Sequence, residues 1–442
     1  MDFFKLKQNN TTKWTEISAG ITTFMTMAYI LAVNPDVLAT SGMDYGGVFT
    51  ATVLAAVVGT LCMALFANYP FALAPSMGLN AYFAYTVAYK YGWQLALCAV
   101  FVEGIIFIIL SGFNVREAIF NAIPKSLKLA VSAGIGLFIA FVGLQNAGVI
   151  VDSATLVTIG DFHQVGPCLA ILGFVIIGLL QHYKIRGSLL WGILITWGLG
   201  IVCELIGWYV PDPANGVYSL IPTAILSLPP SIADVNLITA TKSVDFDVVT
   251  IFDFVAVLFS FLFVDMFDTI GTLIGVSEKA GFVDENGRLP KLKPALLADA
   301  VATVVGALFG TSTTTTFVES ASGVAQGGRT GLTAVTTAGL FFLSLFFAPI
   351  FKTIPSFATA PALVMVGLFM LESVVKIDFT DFTEAIPAFL TIIMMPFAYS
   401  IAEGLVFGIL SYVILKLLTG KRKDVTIVMY IVAVIFLIRL FL

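Results

Sequence analysis

The chain has 442 residues, 59% of them hydrophobic and 11% charged, with a mean hydropathy of +1.01. A soluble domain carries about 25% charged and about 45–50% apolar residues, so this apolar surplus excludes burial in one water-surrounded core and predicts an all-α polytopic protein in a lipid bilayer. Lys and Arg number 22 against 27 Asp and Glu, and without a basic excess nucleic acid is excluded as a partner.

The N-terminus, MDFFKLKQNNTTKW, holds Lys5, Lys7 and Lys13 but no cleavable-signal pattern, and reads as a cytoplasmic tail entering the first span. Apolar runs predict spans at 16–36, 48–67, a short one near 74–88, 92–112, 128–150, 166–182 and 188–209. A linker at 210–250 with Pro211, Pro213, Pro222, Pro229 and Pro230 follows on the outside. Then come 252–276, 295–309, a short span near 317–327, 332–350, 358–374, 385–401 and 404–419. That makes about 14 spans, seven on each side of the linker. The last apolar stretch, 425–442, is compatible with an extra span or with an interfacial segment.

Charge supports this order. Turns expected inside carry Arg116, Lys125, Lys128, Lys184, Arg186, Lys279, Arg288, Lys291, Lys293, Arg329, Lys376 and the run Lys421 to Lys423. Turns expected outside carry Asp36, Asp44, Asp152, Asp161, Asp212 and Asp234, with Lys90 and Lys352 as exceptions. Cys62, Cys98, Cys168 and Cys203 lie in apolar runs without CxxC spacing and read as packing residues; no metal site or disulfide is expected. His163 and His182 fall in a loop and at a span end, the five tryptophans suit interface positions, and Gln145 and Asn146 either border the path or cap a helix.

SLLWGIL (188–194) matches GLVFGIL (404–410), and FVGL (141–144) matches MVGL (365–368). Seven spans per half is odd, so equivalent helices run oppositely, the inverted-repeat plan of secondary transporters. The third span of each half is broken. In the first, NYPFALAPSMGLNAYFAY (68–85) holds Pro70, Pro75, Ser76, Gly78 and Asn80. Its counterpart, GTSTTTTFVESASGVAQGGRTG (310–331), places one acid, Glu319, at membrane depth. Paired broken spans point to a binding site, because a helix starting mid-membrane has N–H groups free for a polar ligand. The Thr run 311–316 with Phe317 and Val318 has β-propensity, and short strands preceding the two half-helices would satisfy each other's backbone.

The eighth span, FLFVDMFDTIGTLIG (261–275), puts Asp265, Asp268, Thr269 and Thr272 on one face at helical spacing. Acids there are costly against lipid, so they face the interior, where they suit proton exchange; the competing reading is that one only caps a broken helix.

FVDMFDTIGTLIG (263–275), TTTTFVESASGVAQGGRTGLTA (313–334), APSMGLNAYFAY (74–85) and AGIGLFIAFVGLQNAG (133–148) resemble the azaguanine-resistance-type branch of the nucleobase–cation symporter family, the hypoxanthine, guanine and adenine permeases. The likeness covers residues 12–419. It implies fourteen helices in two inverted repeats, with a core domain at 1–112 and 251–350 and a gate domain at 113–209 and 351–442. It also implies purine–proton symport and a homodimer, with no cofactor. By position it points to Asp265, Asp268, Glu319 and Asn80, the three acids serving both the substrate and the proton. A purine offers ring N–H donors to carboxylates and a flat face on which Phe71 or Phe317 would stack. Thr272 stands where uracil and xanthine branches carry a histidine, which speaks against a site of their type.

The resulting expectation is a proton-coupled purine importer of the plasma membrane, working by alternating access. The rivals are a uracil or xanthine transporter, or a small-anion transporter, of the same fold. No nucleophile–base pair or HExxH motif suggests an enzyme.

Overall fold

Lipid offers a backbone N–H or C=O no partner, so apolar runs coil into helices that satisfy their own groups. The computed structural model is mostly helical and describes residues 3–112, 124–154, 156–212, 217–244, 251–282 and 289–441. Arg116, Pro213 and Arg288 lie outside these described residues. Among them, ten helices are long and apolar enough to cross a membrane.

The first predicted span is two helices. α1 (Lys13–Met27), capped by the Thr12 hydroxyl, ends before Ala28 and Tyr29, and α2 (Ile30–Ala39) resumes. Two features weaken the helix there. The Thr22 and Thr26 hydroxyls bond carbonyls one turn back, which bends helices, and Pro35 inside α2 has no N–H to donate. α3 (Tyr45–Cys62), capped by Asp44, widens into a π turn through Ala67. The chain then doubles back into β1 (Leu73–Pro75) and the short α4 (Met77–Ala81), prolonged by a π segment to Ala88.

α5 (Trp93–Gly112), α6 (Lys125–Asn146), the hairpin β2 (Ile150–Ser153) and β3 (Leu156–Ile159), α7 (Val165–His182) and α8 (Ser188–Leu205) follow. The linker contains a short helix, α9 (Leu237–Ser243). Next come α10 (Ile251–Ala280), α11 (Leu292–Phe309), β4 (Thr314–Thr316) and α12 (Ser320–Ala325). α13 (Gly331–Ser344), α14 (Ser356–Leu371), α15 (Phe382–Phe397), α16 (Ile401–Leu418) and α17 (Ile427–Phe441) complete the chain. α17 buries Met429, Val432, Ala433 and Phe436, and the Phe436 ring sits 5.4 Å from that of Phe259 on α10.

Two packing groups emerge. α1, α3, α5, α11 and α13 pack on one another, and α6, α7, α8, α14, α15 and α16 form the other group. Within the second, α6 and α14 cross backbone to backbone. A Cβ on Gly136 would meet the Gly367 carbonyl oxygen at 2.5 Å. Lys416 of α16 is buried there and pairs with Glu384 at 2.6 Å and Asp424 at 3.3 Å. Trp197 departs from the interface expectation: it is buried, and its indole donates to the Leu220 carbonyl at 2.9 Å.

At the centre, β1 and β4 pair antiparallel, with Leu73 opposite Thr316, Ala74 opposite Thr315 and Pro75 opposite Thr314. The Ser76 N–H donates to the Thr313 carbonyl and the Phe317 N–H to that of Ala72, both at 3.0 Å. This two-strand ladder is the backbone arrangement expected from the Thr run. Thr311 to Thr316 are all buried in protein, the condition under which non-helical backbone is tolerated at this depth.

Candidate functional site

The ladder holds the starts of α4 and α12 beside the middle of α10. Between them lies a cavity of about 410 Å³ whose lining includes Tyr29, Ser76, Asp268, Thr272, Phe317 and Glu319. Met77 and Gly78, the first residues of α4, also line it, where a helix has N–H groups without intrahelical partners.

The lining holds three acids, Asp268, Glu319 and Glu372, and the first two are held by hydroxyls. Tyr29, at the break in the first span, donates to Glu319 Oε1 at 2.8 Å. Ser76 and Thr315 donate to Asp268 Oδ2 at 2.6 and 3.3 Å. A carboxylate has about four acceptor positions, so each keeps capacity for a donor in the cavity. The aromatic residues of the wall are Tyr29, Phe317 and Phe369.

The other predicted residues lie off this cavity. At about 100° per residue, Asp268 and Thr272 occupy one edge of the polar face of α10, and Asp265 and Thr269 the other. That second edge meets α11: the Thr269 hydroxyl lies 2.9 Å from Asp265 Oδ1 and 3.0 Å from both oxygens of Asp299. Asn80 is fully buried, one turn into α4, and accepts from the Ser312 hydroxyl. Phe71 is fully buried too. It precedes β1 and packs with Tyr69 at 5.1 Å and Phe282 at 6.1 Å, so Phe317 rather than Phe71 offers a ring to the cavity. Tyr29, Thr315 and Asp299 were not singled out from sequence. Asp299 was findable, being an acid in the predicted span 295–309; Tyr29 gave no signal inside an apolar run.

The cavity is closed at one end and branched at the other. At the closed end Ser356 and Thr359 donate to Asp36 at 3.1 and 2.8 Å, Asn146 donates to Tyr85 Oη at 2.8 Å, and Tyr45 donates to the Phe351 carbonyl at 2.8 Å. At the other end, two spaces of about 350 Å³ each share its walls. One reaches Lys125 and Lys128, the other Lys184 and Arg186. Arg329 is not in the cavity; its guanidinium caps the Val324 and Gly328 carbonyls and its N–H donates to Glu16.

Membrane-length helices around one acid-lined chamber, closed at one end, have the build of a multi-pass membrane transporter. Residues 15–407 match the Permease family, Xan_ur_permease. The chain belongs to that family and is a permease, not an enzyme. It is 43% identical to the adenine permease AdeP of Escherichia coli over 99% of this chain and 95% of that protein. It is 44% identical to the guanine/hypoxanthine permease PbuO of Bacillus subtilis over 99% of this chain and all of that one. Among solved structures, the transmembrane domain of a cyanobacterium bicarbonate transporter, BicA, superposes with a TM-score of 0.63. That match covers 88% of this chain and 97% of BicA's at 15% identity, a likeness of fold alone.

Proposed function

We propose that this permease imports purine nucleobases across the plasma membrane by proton symport, with alternating access. One observation carries the reading: Asp268 and Glu319 face a single chamber from different elements, each anchored by hydroxyls and able to accept further. A purine has ring N–H groups for these acceptors, ring nitrogens for donors such as the first N–H groups of α4, and a flat face for Phe317. A site pairing each polar edge rejects poor fits, because a mismatch leaves buried groups unpaired. The relatives' names, adenine permease and guanine/hypoxanthine permease, support the same cargo.

In this reading the ten long helices, α10, α15 and the two half-spans make fourteen segments in two inverted repeats, assembled as a homodimer. The group containing α1 to α5 and α10 to α13 is the core, and that of α6 to α8 and α14 to α16 the gate. With the N-terminus cytoplasmic, the chamber is open to the inside. Asp268 and Glu319 carry the proton. Asp265, placed beside Asp299, serves it through the packing behind them, and Asn80 holds the half-span in position.

The small-anion reading draws on the fold shared with a bicarbonate transporter. Three acids on the chamber wall, Asp268, Glu319 and Glu372, disfavour an anion there. The test is uptake of one labelled purine against unlabelled adenine, guanine, hypoxanthine, xanthine and uracil, at two outside pH values. Purines should compete, uracil should not, and uptake should rise as outside pH falls and collapse with a protonophore. Uptake that follows sodium and ignores pH would refute proton coupling, and competition by bicarbonate alone would refute the cargo.

A further inference from the structure

Two spaces lead from the chamber toward the basic end, and each reaches a different acid. The first shares Asp268 and Thr272 with the chamber, the second Glu319 and Gln181, and among the described residues none lines both spaces. The end of α14 divides them: Met370 lines the first and its neighbour Phe369 the second. Both open among basic turns, so their mouths do not tell them apart. Their walls do. Beside Asp268 the first is faced by Leu129, Val131, Ile135, Val264 and Met370, an apolar passage that suits a flat aromatic ring. The second carries a run of hydrogen-bonding side chains, Thr26, Gln181, Ser188 and Ser322. That run starts at Glu319. The Ser322 N–H donates to the Glu319 carbonyl at 2.9 Å, and the Thr26 hydroxyl lies 3.4 Å from the same oxygen. Further out, the Ser188 hydroxyl donates to Gln181 Oε1 at 2.6 Å. The two stretches adjoin where the turn at Gly187 packs on α1: a Cβ on Gly187 would meet the Met25 carbonyl oxygen at 2.7 Å.

We propose that the two co-transported species leave the chamber by different arms, the base past Asp268 along the apolar arm and the proton from Glu319 along the polar one. This rests on the purine–proton reading of the chamber. At about 350 Å³ the polar arm far exceeds the roughly 10–15 Å³ that admits one water molecule, and its four polar side chains offer the partners such waters need. The proton passes from the Glu319 carboxyl to water in this arm and on to the inside solution. The carboxylate left behind keeps its hydrogen bond from Tyr29. A base seated among Asp268, Glu319 and Phe317 covers the chamber side of Glu319 and leaves the arm side open. Inside pH therefore reaches Glu319 with the base still bound, and neither species has to wait for the other to leave.

The experiment uses the purified full-length protein in proteoliposomes and separates two fluxes of labelled adenine or hypoxanthine. Exchange of labelled for unlabelled base at equal pH needs no net proton release, whereas net uptake driven by an acid outside does. Cysteines are placed in one arm at a time: Leu129→Cys in the apolar arm, and Ser322→Cys or, separately, Ala321→Cys in the polar one. Each is capped with a bulky thiol reagent that a reductant removes. The parent protein with its four free cysteines, treated alike, sets the baseline. A cap in the polar arm should stop acid-driven net uptake and leave exchange running. A cap on Leu129→Cys should stop both, and the reductant should restore each flux. The inference is overturned, with the purine–proton reading left standing, by any of three results: polar-arm caps that stop exchange as well, polar-arm caps that spare net uptake, or exchange that survives the cap on Leu129→Cys. Parent protein that exchanges neither base, or whose net uptake ignores pH, overturns that reading instead, and this inference with it.

Discussion

Glu319 sits where a helix begins, one oxygen held by Tyr29 and acceptor capacity left toward the chamber. Glu319→Gln keeps the shape but replaces an acceptor by a donor and removes the charge. A hydrogen bond to a charged group is worth about 1.5–3 kcal/mol, so purine affinity should fall roughly 10- to 100-fold. Tyr29→Phe, which keeps the ring and loses only the donor, should cost about fivefold through misorientation of the carboxylate. Equilibrium binding on purified variants checks both, and near-normal affinity in Glu319→Gln would remove that residue from the site. That acids stand within the spans was legible, because a carboxylate in an apolar run is conspicuous. Which neighbour each one faces was not. Asp265 and Asp268 share a face by spacing, yet α11 takes one and the chamber the other, and that division depends on where a helix thirty residues further on is packed. Phe71 illustrates the same limit: two residues before β1 its ring turns to Phe282, a residue of the α10–α11 turn.

At the level of elements, the broken spans were readable because Pro70, Pro75 and Gly78 cannot continue a helix quietly and a Thr run favours extended backbone. The break in the first span was not. Pro35 is visible but lies beyond the break, inside α2, and the hydroxyls that bond back onto carbonyls there have counterparts within unbroken α13. Close helix crossings were equally hidden, since a glycine in a span reads alike whether it meets lipid or backbone. Gly136 and Gly339 separate the two cases. A methyl on Gly136 would press on the Gly367 carbonyl, while one on Gly339 would meet nothing within 4 Å. Gly136→Ala should therefore destabilise by about 1–3 kcal/mol through overpacking. Gly339→Ala should be neutral or stabilising by about 0.5–1 kcal/mol, from helix propensity alone. Thermal unfolding in detergent compares them, and equal midpoints would mean α6 and α14 do not approach so closely.

For the whole molecule, the two packing groups are joined by side-chain hydrogen bonds at the closed end, while at the basic end the turn at Gly187 packs on the Met25 backbone of α1. Asp36 belongs to α2, in the first group, and its partners Ser356 and Thr359 to α14, in the second. Asn146 of α6 and Tyr85 of the first half-span repeat the arrangement. Each bond is individually modest, about 0.5–1.5 kcal/mol net, which suits the proposed alternating access, since a conformational equilibrium of a few kcal/mol can be moved by differential binding of a substrate. Alternating access requires these contacts to part while the lysine-lined end closes. Asp36→Cys with Thr359→Cys, joined by a short thiol-specific cross-linker, should hold the far end shut. Uptake should drop to background after cross-linking and return when a cleavable linker is reduced, while the parent protein with its four free cysteines and each variant with one added cysteine keep their uptake. Base binding to solubilised protein should survive the cross-link, because the chamber stays open at its basic end. If the cross-linked protein still transported, the two groups would not separate there, and the movement that carries the substrate would have to lie elsewhere.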